Sequence, residues 1–253
     1  MVYHEKFRQE RFDNLLLQNN IVDIKEKPFT LKSRRQSHTY ANLRKNDAYF
    51  VRKVADNILD YTEDHNLKPD CFYGVPEGAT RFGIITQHEY AKQNQAKKEE
   101  YPLPMGRGKP KDHGDPKNRY FVGEPRGKTI VIEDVTTTGL STIETLSNLK
   151  DLGAEVIGVI GLVNRMEVTP IWGADDGEVV RNYKNNYEKV TGRKYLGPLS
   201  VREVIERAGT EYHQLSGFDT LLPKVAEMKK TPRKILDEVE KEFEEYGVKK
   251  IKF

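Results

Sequence analysis

The chain has a single cysteine, Cys71, and a single tryptophan. One cysteine excludes an intramolecular disulfide framework and any metal site built on several thiolates. Cys71 sits in the apolar run from Asp70 to Val75 and is expected to be a packed core thiol. No run approaches the roughly 18–20 apolar residues needed to span a membrane. The first ten residues are charged and lack the apolar core of a secretory leader. These absences predict a soluble, intracellular, cytoplasmic protein. Charge of one sign is not in excess: the net charge is +3 over 253 residues. That balance gives no argument for nucleic acid, because phosphorylated metabolites also attract local basic clusters. Neither end carries a helix-turn-helix pattern, and there is no internal repeat. Hydrophobic residues at 36% and charged residues at 32% describe a globular protein with a heavily charged surface rather than a disordered one. The length suits one large domain, or a domain with an appendage.

The stretch Lys128 to Ser141 organises the rest. Thr129 to Ile132 is a β-branched, apolar run, short enough for a buried strand. Two carboxylates, Glu133 and Asp134, stand where that strand is expected to end, and a hydroxyl-rich turn closed by Gly139 follows. Ser141 and Glu144 match the S-x-x-E capping box, so a helix is expected to begin at Ser141. Leu146, Leu149 and Leu152 give it an apolar side, and Gly153 is placed to end it. Glu155 to Val163 reads as a second buried strand, completing a βαβ unit. A hydroxyl-rich turn at a helix N-terminus favours a phosphate. Carboxylates beside it would repel that phosphate, so they suit a vicinal diol, or a nearby divalent cation. Together these features describe a sugar-phosphate site, with ribose on Glu133 and Asp134 and its 5′-phosphate in the turn. The alternative is an ordinary strand–loop–helix whose polar residues only cap the helix.

Elsewhere, Phe12, Leu15, Leu16 and Ile21 predict an amphipathic helix in residues 1–27. Strand-like pieces flank a basic turn between Phe29 and Arg44. Val51, Val54, Ala55 and Ile58 recur at helical spacing and predict a helix from about Asp47 to Glu63. A strand is expected at Asp70 to Val75, ending in a Gly/Pro-rich turn to Thr80, where open α/β sheets bind ligands. Tyr101 to Met105 reads as a short strand. Residues 106–119 hold three glycines and two prolines, so they predict a long exposed loop, either a binding loop or a solvated charge run. It lacks the interleaved aromatics that stack nucleic-acid bases. Arg165, at the end of the second strand, could grip a carboxylate or be a surface arginine. Residues 168–195 look like an insertion, Pro198 to Ile205 reads as a helix start, and Ile235, Val239 and Phe243 predict a charged amphipathic helix.

Val131-Ile132-Glu133-Asp134-Val135-Thr136-Thr137-Thr138-Gly139 resembles the phosphoribosyl diphosphate (PRPP) signature of type I phosphoribosyltransferases. The resemblance implies an α/β fold: a central parallel sheet flanked by helices, with a small hood region and a helical C-terminal extension. It implies a PRPP site of Glu133, Asp134, Val135, Thr136, Thr137, Thr138, Gly139, Leu140 and Ser141, with Leu140 where a small residue is frequent. The segment Phe29 to Tyr40 resembles the Phe-Thr-Leu-Lys-Ser-Gly-Arg-x-Ser-x-x-Tyr/Phe pattern of orotate phosphoribosyltransferases. This implies that Lys32 reaches the PRPP–orotate site and that Tyr40 lies against the base. Arg34 replaces a glycine of that pattern, and Ala41 a second aromatic residue. Lys111-Asp112-His113-Gly114 matches the core of the same family's catalytic loop, which puts Arg107 on its leading arginine and Gly108 where lysine is frequent. Glu77 also falls where many of these enzymes carry lysine, in a turn that the superfamily uses to hold the diphosphate.

The resemblance covers about residues 29–207. It implies a segment 1–28 before a catalytic domain at 29–207, with its loop at 107–118, and an extension at 208–253. The implied reaction transfers ribose 5-phosphate from PRPP to orotate, with Lys111, His113, Arg107 and Asp134 as catalytic residues. Thr137, Arg165, Tyr40 and Lys32 would orient orotate. Mg²⁺ would be carried by PRPP, and a homodimer would share loop 107–118; no nucleic acid or membrane partner is expected. The alternatives are a PRPP- or nucleotide-sensing regulator on the same fold and a type I enzyme for another base.

Overall fold

The structure is a computed structural model that describes residues 6–31, 35–44, 47–98, 100–108, 119–169, 177–248, 251 and 253. The expected βαβ unit is its centre. Strand β6 (Lys128–Thr136) runs into helix α4 (Leu140–Asp151), and β7 (Glu155–Asn164) returns parallel to β6. Thr129 to Ile132 are buried throughout, as in a parallel strand covered on both faces. The strand continues past the carboxylates to Thr136 rather than stopping before them. Gly153, at φ +73, follows the end of α4 as expected. The sheet is completed by β3 (Cys71–Gly74) beside β6 and β8 (Glu211–Gly217) beside β7, giving the all-parallel order β3-β6-β7-β8.

Helix α2 (Ala48–Asp64) is capped by Asp47, whose side chain accepts a hydrogen bond from the Phe50 N–H. Its apolar stripe, with Val51, Val54, Ala55 and Ile58, is buried. It packs on α3 (Thr80–Gln93), which follows β3. Among the described residues, no helix is long and apolar enough to cross a membrane. Cys71 is buried, and burial pushes its thiol up to about 12.

Several expectations are corrected. The N-terminal helix α1 (Gln9–Gln18) stops before Ile21, and Val22–Thr30 is strand β1, paired antiparallel with β2 (Gln36–Ala41) as a two-stranded hood. In place of a strand at Tyr101 to Met105, β4 (Met105–Gly106) pairs with β5 (Phe121–Val122), on either side of residues 107–120. No capping box forms at Ser141: Gly139 stands at the N-cap, and no side chain caps it. The box forms instead at Ser200 and Glu203, opening α6 (Val201–Arg207). Within the 168–195 segment, α5 (Gly177–Thr191) packs against α4.

Residues from 208 onward are not a purely helical appendage, since they supply the edge strand β8 of the central sheet. They then form α7 (Phe218–Lys229) and α8 (Arg233–Glu245), which pack on β1 and β2 respectively. His38 Nδ1 lies 2.6 Å from Glu242 Oε1, and the Tyr246 hydroxyl donates to the Gln36 carbonyl at 2.8 Å. Val239 and Phe243 are buried, with Phe243 against Phe218.

Truncating Phe243 to Ala should therefore cost about 3–5 kcal/mol in urea unfolding. Exposed Lys241→Ala on the same helix should stay within about 0.5 kcal/mol. A loose appendage would make the two variants alike. A second expectation comes from His213 on β8. Its Nδ1 lies 3.2 Å from the Tyr61 hydroxyl, with Glu211, His65 and Arg202 nearby. Burial holds its pKa below the ordinary value; Glu211 opposes this, and His65 and Arg202 add to it. A lowered folded pKa contributes stability that is complete above the unfolded value of about 6.5 and is lost as pH falls through the folded one. The fall in urea midpoint below about pH 6.5 should be shallower in His213→Gln than in the parent, and equal slopes would exclude this role.

Candidate active site

At the C-terminal ends of β3, β6 and β7 lies a cavity of about 780 Å³, the place where open α/β sheets bind ligands. Its floor is the end of β6. Neighbouring residues on a strand point to opposite faces, and Glu133 and Asp134 diverge accordingly. Glu133 turns beneath α4, where the Thr142 hydroxyl donates to its Oε2 at 2.9 Å. Asp134 turns toward the 76–79 turn: a Cβ placed on Gly78 would lie 2.2 Å from Asp134 Oδ2. Both carboxylates are buried and line the cavity.

The next wall is the turn into α4. Thr136 still belongs to the strand and directs its hydroxyl inward, 2.9 Å from the Tyr212 hydroxyl. Burial keeps that phenol protonated by raising its pKa, although the bond with Thr136 pulls it down. Val135, Thr137, Thr138, Leu140 and Ser141 line the cavity around Gly139, whose φ of +74 takes the chain into the helix. Because no side chain caps α4, its N-terminal N–H groups are left to the cavity, an arrangement that suits phosphate.

Opposite lies the hood. Tyr40 lines the cavity, held edge-on against Phe29. Arg165, also a lining residue, is buried and held on several sides. Its Nε donates to Glu167 Oε1 at 2.8 Å, Nη1 to the Thr39 carbonyl at 3.0 Å and Nη2 to Ser37 Oγ at 2.9 Å. Glu167 in turn accepts from Arg35 Nη1 at 2.7 Å. Arg107 stands at the loop base, with Nε donating to the Phe121 carbonyl at 3.2 Å. Lys32, Lys111 and His113 lie outside the described residues.

The cavity thus brings together Glu133, Asp134, the 135–141 turn, Tyr40, Arg107 and Arg165. Sequence reading passed over Gly78, Thr142, Arg44 and the partners of Arg165. The residues Arg35, Ser37, Thr39 and Glu167 stand inside the two segments that drew notice, but only the folded chain brings those segments into contact.

Similarity to known proteins agrees with this geometry. No family model matches the chain. Among solved structures, an orotate phosphoribosyltransferase from Francisella tularensis superposes with a TM-score of 0.60 at 20% identity, covering 93% of this chain and 98% of that one. That of Mycobacterium tuberculosis in complex with PRPP superposes at 0.51 and 19% identity, covering 84% of this chain and 98% of the other. The fold is that of the type I phosphoribosyltransferases. In sequence, the orotate phosphoribosyltransferase of Pyrococcus horikoshii is 30% identical over 193 residues, 76% of this chain and 91% of its own. That of Bradyrhizobium diazoefficiens is 32% identical over 157 residues, 57% of this chain and 78% of its own. The chain belongs to the orotate phosphoribosyltransferase family of glycosyltransferases.

The packing of Gly78 on Asp134 yields a test. Gly78→Ala puts a methyl group into the space of the carboxylate and should displace it. PRPP affinity should fall about tenfold or more, the loss of one charged hydrogen-bonding partner. Calorimetric titration showing parental affinity would remove Asp134 from the ligand site.

Proposed function

We infer that this cavity carries the reaction of its family: PRPP and orotate give orotidine 5′-monophosphate and diphosphate, a step of pyrimidine biosynthesis. The observation that carries the reading is the buried pair Glu133–Asp134 beside a helix N-terminus that no side chain caps. In this reading the carboxylates accept hydrogen bonds from the ribose hydroxyls. The N–H groups of the 136–141 turn and the hydroxyls of Thr137, Thr138 and Ser141 hold the 5′-phosphate. Lys32, Thr137 and Arg165 orient orotate, and Tyr40 lies against its ring.

The bond from ribose C1 to the diphosphate oxygen breaks with its electron pair on that oxygen, and a ring nitrogen of orotate closes on C1 as its N–H proton passes to the released diphosphate or to solvent. Positive charge builds on the ribose and negative charge on the leaving group. The protein's task is positioning and neutralisation of the leaving group. Arg107, Lys111 and His113 serve the leaving group from the loop, and Asp134 holds the ribose. Loop closure excludes water and limits hydrolysis of PRPP.

The donor set fits Mg²⁺ arriving with PRPP. Glu77, Glu133 and Asp134 offer hard carboxylate oxygens to the cavity. Among the described residues, no three His, Cys, Asp or Glu side chains converge to hold a metal on their own. Bound there, the ion would screen the diphosphate charge. We further propose a cytoplasmic homodimer that shares loop 107–118, supported by the exposed apolar residues Leu103, Met105 and Val122 at the base of that loop.

The test is orotidine 5′-monophosphate formation from orotate, PRPP and Mg²⁺, with uracil, adenine and hypoxanthine in parallel. Turnover is expected with orotate alone, and Lys111→Ala should lower kcat by about 100-fold or more while PRPP still binds. PRPP binding without turnover on any base would overturn the reading in favour of a sensor, and turnover on another base would reassign the substrate.

A further inference from the structure

The charge inventory of the cavity singles out a residue that no motif contains. Among the described residues, the cations lining it are Arg44, Arg107 and Arg165. Arg165 is occupied by Glu167, Ser37 and Thr39, and the Nε of Arg107 is held at the loop base by the Phe121 carbonyl. Arg44 is differently placed. Its backbone is fixed, its N–H donating to Asn42 Oδ1 at 3.0 Å. Its side chain is 71% exposed, and its Nε stands 3.9 Å from Asp134 Oδ2, beyond hydrogen-bond distance. An ion pair so exposed is weak and easily exchanged.

The position of that pair matters. Asp134 Oδ2 is the atom packed on Gly78, so Arg44 stands beside the turn 76–79. That turn carries Glu77, which is exposed and lines the cavity. The Glu77 carboxylate also lies against the loop base: a Cβ on Gly108 would meet Glu77 Oε1 at 2.1 Å. With the ribose on Asp134 and the 5′-phosphate at α4, the diphosphate on ribose C1 has to lie away from α4, toward this acidic corner. A multiply charged anion beside a carboxylate needs a compensating cation.

We propose that Arg44 binds the diphosphate of PRPP. On binding, Asp134 exchanges Arg44 for the ribose hydroxyls, and the guanidinium fork moves onto phosphoryl oxygens, which it fits bidentately. The inference rests on the cavity being the PRPP site.

Isothermal titration with PRPP, Mg²⁺-diphosphate and ribose 5-phosphate tests it. Arg44→Ala should weaken PRPP and diphosphate about tenfold or more and leave ribose 5-phosphate and the KM for orotate within about twofold. Arg44→Lys should recover part of the loss, and adding Glu77→Lys to Arg44→Ala should recover more by removing the acid. Unchanged diphosphate affinity in Arg44→Ala would overturn the proposal. So would an equal loss for ribose 5-phosphate, which would place Arg44 on Asp134 alone. A parent protein that binds neither PRPP nor diphosphate overturns the functional reading first, and this inference with it.

Discussion

The buried guanidinium of Arg165 imposes the strictest condition in this molecule. A charge removed from water is tolerated only when its donors are met and an opposite charge lies close. Its hydrogen-bond partners come from two parts of the chain. Glu167 follows β7, while Ser37 and Thr39 belong to the hood. Arg35, on the far side of Glu167, is stacked on the ring of Tyr246 from the C-terminal end. The return of the chain from Arg165 to Glu167 needs Met166 at φ +66, a left-handed conformation that few non-glycine residues adopt. A small bent segment therefore joins the sheet, hood and C-terminus around one side chain.

That network explains why residues beyond 208 are integral to the site. Strand β8 closes the sheet edge, and α8 holds β2 through Glu242 and Tyr246. The hood thus sits over the cavity between α8 and Arg165. The triad Arg35–Glu167–Arg165 carries two positive charges and one negative, an excess that an anionic base entering beside Arg165 would balance. The C-terminal helix and the buried guanidinium draw on the same contacts.

The legible parts of the fold are those in which local pattern and tertiary role agree. The β-branched run at 129–132 could only be a strand buried on both faces, and Asp47 with its helical stripe marked α2. The pattern S-x-x-E occurs at Ser141 and at Ser200, yet only the second becomes a capping box. At the first, Gly139 turns the chain through positive φ and leaves the helix N-terminus to the cavity, so the ligand site overrides the local preference. Strand β1 was hidden because most of its outer half is exposed, charged sequence whose pairing is set by β2. The polar edge strand β8 was hidden for a similar reason. The turn into α4 was legible as a contiguous motif, whereas Gly78 and Arg44 have meaning only beside Asp134, 56 and 90 positions away.

The two departures from the family pattern at Glu77 and Gly108 occupy the same space. The Glu77 carboxylate lies where a side chain at 108 would begin, so a side chain there would turn this exposed carboxylate aside. Among the described residues, Arg44, which follows β2, is the hood's cation beside the 76–79 turn. In the proposed reading the hood takes part at both ends of the substrate pair, with Tyr40 and the partners of Arg165 on the side of the base and Arg44 on the side of the diphosphate. A single two-stranded element, held down by α8, can in this way couple the placement of the base to the capture of the leaving group.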